Sequence, residues 1–146
     1  MTSRYLALSF LSGCVWAVIG YCIGHQWMSP FIWGGLLASP FIGLAVGALY
    51  HRACKRSPTT RILLSLVTLY LAATLFGLAA GIHDALRYMP PGVHRSTPAV
   101  VLQAILGTWW GVTFTGYVLV LWPLSFINHS LVCRFGGASQ SACCST

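Results

Sequence analysis

Long apolar runs without a charge alternate with short polar segments along the chain. Four runs contain no Asp, Glu, Lys or Arg, and they cover residues 5–24, 31–50, 62–82 and 99–122. Each holds about the 20 residues that an α-helix needs to cross roughly 30 Å of hydrocarbon. The pattern predicts an all-α, polytopic integral membrane protein with four transmembrane helices in an up-down-up-down bundle. Residues 1–132 are expected to form this domain, and 133–146 a short flexible cytoplasmic tail.

Prolines indicate where the predicted helices should bend or stop. Pro40 lies near the middle of the second run, where it removes one backbone hydrogen bond, so a kink is expected. Pro123 directly follows the fourth run and is expected to end or bend that helix. The sequence Pro90-Pro91-Gly92 predicts a turn between the third and fourth helices.

The composition supports the membrane class and narrows the partners. Only 6% of the residues are charged, against about a quarter in soluble proteins. A soluble fold of 146 residues could not cover its surface with so few charges. The formal net charge of +7 comes from basic residues that lie beside the apolar runs. Anionic lipid head groups at the cytoplasmic face, rather than nucleic acid, are therefore the expected partner.

The distribution of Lys and Arg predicts the orientation in the membrane. Six of the eight basic residues fall on one side of the four predicted spans, and Arg87 and Arg95 fall on the other. Cytoplasmic loops carry an excess of Lys and Arg, so both termini and the 51–61 loop are expected on the cytoplasmic side. The membrane is expected to be the cell membrane, which in a bacterium is the inner membrane. The residues expected to set this topology are those of the loop, namely Arg52, Lys55, Arg56 and Arg61.

Small residues recur at intervals of four in every predicted helix. Such spacing places them on one helix face, where another backbone can approach closely. These faces are expected to pack helices together, either within one chain or against a membrane-protein partner or a second copy. The residues are Gly20, Gly24, Gly35, Ser39, Gly43, Gly47, Gly77, Gly81, Gly107 and Gly111.

The middle of the membrane holds a group of polar and aromatic side chains. Gln103, Trp109 and Trp110 lie on the fourth predicted helix. On the third, Thr74 is expected at a depth similar to Thr108 and Tyr70 somewhat deeper. They form a possible lining for a lipid-like or aromatic ligand such as a quinone. The alternative is that the polar groups bond across helices or back to their own carbonyls, while the tryptophans fill space.

Histidines occur in one pair near each predicted membrane face. His25 and His83 lie on the outer side, and His51 and His129 lie on the inner side. Membrane b-type cytochromes hold haem between histidines of two helices, so these four are the candidates for a cofactor site. Their position at or beyond the helix ends counts against it, because haem ligands need a dry, enclosed slot. No metal-ligand spacing is present, so no metal site is predicted.

No other chemical motif stands out. His83 and Asp84 adjoin, but consecutive helical residues point in different directions, so no catalytic residue is predicted. None of the six cysteines lies in a predicted outer loop, so no external disulfide framework is expected. Cys143 and Cys144 are adjacent and close to a basic face, where they are candidates for acylation.

These observations favour a non-catalytic helix-packing subunit or interaction protein of a membrane complex. Proton- and cation-coupled transporters place Asp or Glu within the membrane, whereas no predicted span here contains either. One alternative is a small channel or carrier for a neutral or apolar solute, using the Pro40 kink and the region around Gln103. A second alternative is a haem- or quinone-linked redox protein.

Overall fold

The computed structural model describes residues 2–28, 32–87 and 97–136, and every regular element in these ranges is helical. A short 3₁₀ turn, Arg52–Lys55, joins the second helix to the third. The five α-helices are α1 (Ser3–Met28), α2 (Trp33–His51), α3 (Pro58–Arg87), α4 (Thr97–Phe114) and α5 (Val118–Phe135).

Four of these helices are long and apolar enough to cross a membrane. They are α1 over Ser3–Cys22, α2 with its following turn over Trp33–Lys55, α3 and α5. The predicted all-helical class is confirmed, with four helices of membrane-spanning length and hydrophobicity. The fourth such helix, however, is α5, which lies mostly beyond the fourth apolar run.

The prediction of one continuous helix over 99–122 is wrong. The structure divides that run into α4 and the start of α5, with a break at Thr115, Gly116 and Tyr117. Gly116 has φ +75, a left-handed conformation that glycine adopts without steric cost. Pro123 neither ends nor begins a helix but lies inside α5, which continues to Phe135. Residues 133–135 of the predicted tail are therefore helical.

Small residues bring α1, α2 and α3 into close contact. A Cβ added to Gly13 would lie 2.4 Å from the Ser39 carbonyl oxygen, and one added to Gly43 would lie 2.6 Å from that of Ser9. α2 remains one helix across Pro40, next to this contact. On its other side α2 meets α3, where a Cβ on Gly34 would lie 2.6 Å from the Ala79 carbonyl oxygen.

α4 packs against α3 through a second glycine face. A Cβ on Gly77 would lie 2.8 Å from Ile105 Cα, and one on Gly81 would lie 2.7 Å from Val101 Cα. No comparably extensive packing joins α4 to α1 within the described residues. α4 is therefore held on one side only, which leaves a space between it and α1.

α5 packs against the ends of α1 and α3 that lie nearest the 51–61 loop. On the α3 side, Trp122 Nε1 donates to Ser65 Oγ at 3.1 Å. On the α1 side, Asn128 Nδ2 donates to Ser12 Oγ at 2.6 Å. A disulfide between Cys54 and Cys133 ties α5 to the 3₁₀ turn. The buried cluster at this end comprises Tyr5, Tyr50, Ala53, Cys54, Val132 and Cys133.

Candidate ligand cavity

A cavity of about 660 Å³ lies among the five helices. Ligand pockets for small molecules commonly measure roughly 300–1,000 Å³, so this volume is sufficient for a drug-sized or lipid-like molecule. No Asp, Glu, Lys or Arg is among the described residues that line it. The cavity is partly open rather than sealed. Both α1 and α4 line it, and these two helices are not extensively packed against each other in the described part of the chain.

The walls of the cavity are apolar and rich in aromatic side chains. Trp16 of α1, Phe76 of α3 and Trp110 of α4 all line it. Small residues lie between them and leave the volume unfilled, because a glycine or alanine in a wall has no side chain to extend into the space. These residues are Gly20, Ala72, Ala73, Gly107 and Gly111.

Polar side chains concentrate at the end of the cavity nearest the 51–61 loop. Ser12 of α1, Thr68 of α3 and Asn128 of α5 line this end. The opposite end is lined by Ile19 and Ile32. The cavity is therefore amphipathic along its length, with one polar end and apolar walls above it.

His129 contributes a neutral hydrogen-bonded ring to the polar end. Its Nε2 lies 3.1 Å from Thr68 Oγ1, and the Thr68 hydroxyl donates to the Ser65 carbonyl oxygen at 3.0 Å. A hydroxyl has one hydrogen to give, so Nε2–H must be the donor to Thr68. The ring is neutral because it is only 7% exposed and no carboxylate lines the cavity to pair with a charge. His129 Nδ1 is therefore an acceptor. One face of the ring is covered by Tyr50.

One hydroxyl on the cavity wall lacks a partner. Ser9 is 2% exposed, and its Oγ makes no hydrogen bond of good geometry within the described residues, although it lies near the Tyr5 hydroxyl. Buried polar groups are nearly always hydrogen-bonded, so the polar end is not fully satisfied by the protein alone.

The break between α4 and α5 also borders the cavity. Thr115 and Tyr117 line it, and the Thr115 hydroxyl donates to the Gly111 carbonyl oxygen. Non-helical backbone at membrane depth is tolerated where it is buried in protein or faces a cavity, because lipid cannot satisfy its polar groups. The position of the break is consistent with that rule.

Of the five side chains predicted to line a ligand site, only Trp110 faces this cavity. Trp109 instead donates from Nε1 to Thr74 Oγ1 at 2.9 Å, which joins α4 to α3. Tyr70 bonds across the same interface to Thr113 at 3.0 Å. Gln103 is exposed. The alternative interpretation, in which these polar groups bond across helices, therefore describes Trp109, Tyr70 and Thr74.

The candidate haem ligands have different surroundings in the structure. His51 packs edge-on against Tyr5, with the ring centroids 4.7 Å apart. His83 lies at the far end of α3, against Gly34. The side chain of His25 lies outside the described residues. No cluster of three His, Cys, Asp or Glu side chains occurs in the part of the chain that the structure describes.

Five of the glycines predicted to pack helices contact another helix of the same chain, and the basic residues predicted to set the topology lie in or next to the 51–61 loop. Gly35, Gly43, Gly47, Gly77 and Gly81 each face another helix of the same chain at close range, whereas Gly20 has looser contacts. A Cβ on Gly111 would meet nothing within 4 Å. The surroundings of Gly24 are not among the described features of α1. Arg52, Lys55 and Arg56 are exposed at the loop, and Arg61 is partly buried in α3.

Several residues of the site were not predicted from the sequence. Ser125 and Asn128 lie three positions apart on α5, a spacing typical of a helix face directed at a common site. His129, four positions after Ser125, was predicted only as a candidate haem ligand. This spacing was the available signal. It was missed because the predicted fourth helix stopped at residue 122.

The fold and its cavity thus define an all-helical protein with helices of membrane-spanning length around a ligand-sized, uncharged interior space. Comparison with protein-family models, with curated proteins and with solved structures gives no match.

Proposed function

We propose that this chain is a small membrane-embedded binding protein or carrier for a neutral, largely apolar solute. The observation that supports it is the 660 Å³ cavity whose described lining contains no charged side chain. An uncharged interior disfavours ions, because a buried charge without a partner is costly. An apolar solute can reach the cavity from the bilayer through the space between α1 and α4.

The competing proposal is the non-catalytic helix-packing subunit. Its main support was the series of small-residue faces, which a partner helix could use. Five of those glycines pack against other helices of the same chain, so these faces do not require a partner. The cavity remains unexplained under the subunit proposal, and it has a direct use under the carrier proposal.

We test the function with Nile red, a neutral apolar fluorophore, in lipid nanodiscs that contain the purified protein. Saturable energy transfer from tryptophan to the dye is expected, because Trp16 and Trp110 line the cavity. Ala72→Trp should fill the cavity and weaken dye binding at least about tenfold, since it removes the space that the dye needs. The matched control is Ala45→Trp, at an exposed position of α2 outside the cavity, which should bind normally.

Two results would reject the carrier proposal. One is energy transfer that rises linearly with dye concentration, as expected for simple partition into lipid. The other is equal saturable binding by Ala72→Trp and Ala45→Trp.

The proposed orientation places the 51–61 loop and both termini in the cytoplasm, with four crossings that alternate in direction across a cell membrane. It rests on the count of six basic residues against two. The exposed Arg52, Lys55 and Arg56 would then contact anionic head groups. Replacing all three with Gln should weaken the orientation, measured with topology tags at both termini. An unchanged topology would contradict the role of these residues.

The Cys54–Cys133 disulfide argues against a cytoplasmic location of this end of the protein, because disulfides persist mainly in oxidising compartments. We retain the cytoplasmic orientation because Cys54 and Cys133 are only 6% and 3% exposed, and thiol exchange requires access to a sulfur atom. Labelling of loop residues with a membrane-impermeant reagent in whole cells would decide the matter. Labelling without lysis would reverse the orientation.

A further inference from the structure

We propose that the solute of this cavity is a neutral lipid alcohol, with its hydroxyl group at the Ser12, Asn128 and His129 end and its hydrocarbon tail along the apolar walls. This inference rests on the carrier function proposed above. It adds the chemical class of the solute and its orientation within the cavity.

The dimensions of the cavity fit a molecule with one tail. Along α1, the lining extends from Ser9 to Gly20, which corresponds to about 16 Å at the rise of an α-helix. The polar residues of α1, Ser9 and Ser12, are at the first end of this path, whereas Trp16 and Ile19 lie further along it. A solute that is polar at one end only would match this gradient.

The hydrogen-bonding capacity at the polar end indicates a hydroxyl group. Ser12 Oγ accepts from Asn128 Nδ2, which leaves the Ser12 hydrogen available for donation. Asn128 Oδ1 and His129 Nδ1 are acceptors that no hydrogen bond to another described residue occupies. The three residues line this end of the cavity and together offer one donor and two acceptors.

A hydroxyl group is complementary to this set, because it can accept from Ser12 and donate to Asn128 or His129. A carbonyl group would pair with Ser12 and leave both acceptors without a donor. A carboxylate would in addition place a negative charge beside two acceptors and no cation. The unpartnered hydroxyl of Ser9, three residues before Ser12, is a further sign that the protein alone does not satisfy this end.

The test uses displacement of Nile red from nanodiscs by four compounds with twelve-carbon chains: dodecan-1-ol, dodecan-2-one, dodecanoate and dodecane. Affinities are corrected for the partition of each compound into protein-free nanodiscs. Dodecan-1-ol should bind about tenfold more tightly than dodecane, the effect of about two net hydrogen bonds, and more tightly than the ketone or the carboxylate. Farnesol, an isoprenoid alcohol, serves as a fifth compound. Tighter binding of either alcohol than of dodecane supports the proposal. The alcohol that binds more tightly shows whether the preferred tail is isoprenoid or linear.

Variants separate the head-group contacts from the fold. Asn128→Leu and Ser12→Ala should each reduce the preference for dodecan-1-ol over dodecane to about threefold or less while dodecane binding persists, because only the polar contacts are lost. Ser130→Ala, on the same helix but outside the cavity lining, is the matched control and should keep the full preference. Retained dodecane binding shows that each variant is folded.

The failures of the two proposals are distinguishable. If all five compounds displace the dye equally, or if Asn128→Leu and Ser12→Ala keep the full preference, the alcohol proposal is rejected and the carrier function stands. Binding of dodecanoate or dodecan-2-one as tightly as dodecan-1-ol also rejects it. If no compound displaces the dye, the carrier function fails, and this proposal fails with it.

Discussion

The ring of Tyr50 stacks on the ring of His129, with centroids 4.1 Å apart and planes 11° from parallel. The Tyr50 hydroxyl donates to the Arg61 carbonyl oxygen at 3.0 Å. One fully buried side chain at the end of α2 therefore contacts the beginning of α3 and the middle of α5. It supports the ring that borders the polar end of the cavity.

We expect Tyr50→Phe and Tyr50→Leu to separate the two contacts. Tyr50→Phe keeps the stacked ring and loses only the hydroxyl bond, so the free energy of unfolding should fall by about 1 kcal/mol. Tyr50→Leu loses the aromatic pair as well and should cost a further 1 kcal/mol or so. Unfolding in increasing fractions of sodium dodecyl sulfate measures both. Equal losses in the two variants would mean that the stacking contributes nothing.

The first three helices could be predicted from the sequence because hydropathy directly measures how long a segment can stay in hydrocarbon. α1, α2 and α3 begin and end within a few residues of the uncharged runs. The division of the fourth apolar run into two helices could not be predicted from hydropathy. Its break depends on the backbone conformation of Gly116, and the neighbouring residues are as apolar as those of a continuous helix.

The candidate site was predicted only in part. Trp109 and Trp110 are adjacent, and one bonds to α3 while the other faces the cavity. Consecutive residues on a helix point about 100° apart, so their roles depend on how α4 is rotated against α3, which its own sequence does not determine. The Cys54–Cys133 pair is separated by 79 residues and required the position of α5 to be known.

Close packing of α1 on α2 should be sensitive to a single added methyl group. In Gly13→Ala the new Cβ would lie 2.4 Å from a backbone oxygen of Ser39, which cannot move independently of its helix. We expect a loss of about 1–3 kcal/mol in the free energy of unfolding. Gly20→Ala is the control, because the nearest atom to its Cβ would be 3.9 Å away. Similar stabilities for the two variants would contradict the packing.

The break between α4 and α5 should require glycine at residue 116. Gly116→Ala forces a side chain into the left-handed region and should cost about 1–2 kcal/mol, although its Cβ would meet no neighbour. Gly111→Ala also meets no neighbour but lies within helical backbone, so its stability should be unchanged or slightly higher. Neither substitution creates a close contact, so a difference in stability between the two variants reports the backbone conformation at residue 116. A stable Gly116→Ala variant would mean that the chain is helical through this position.

The disulfide should stabilise the position of α5 by holding it against the 3₁₀ turn. Its loop closes over 79 residues, for which chain entropy in water gives a stabilisation of roughly 4–5 kcal/mol. We expect less here, about 2 kcal/mol, because helices that remain inserted in the membrane already restrict the unfolded chain. Cys54→Ser should show this loss in detergent unfolding under non-reducing conditions, and Cys133→Ser should match it. Cys14→Ser removes a free thiol and is the control. If reduction of the wild type leaves the unfolding midpoint unchanged, packing alone holds α5 in place.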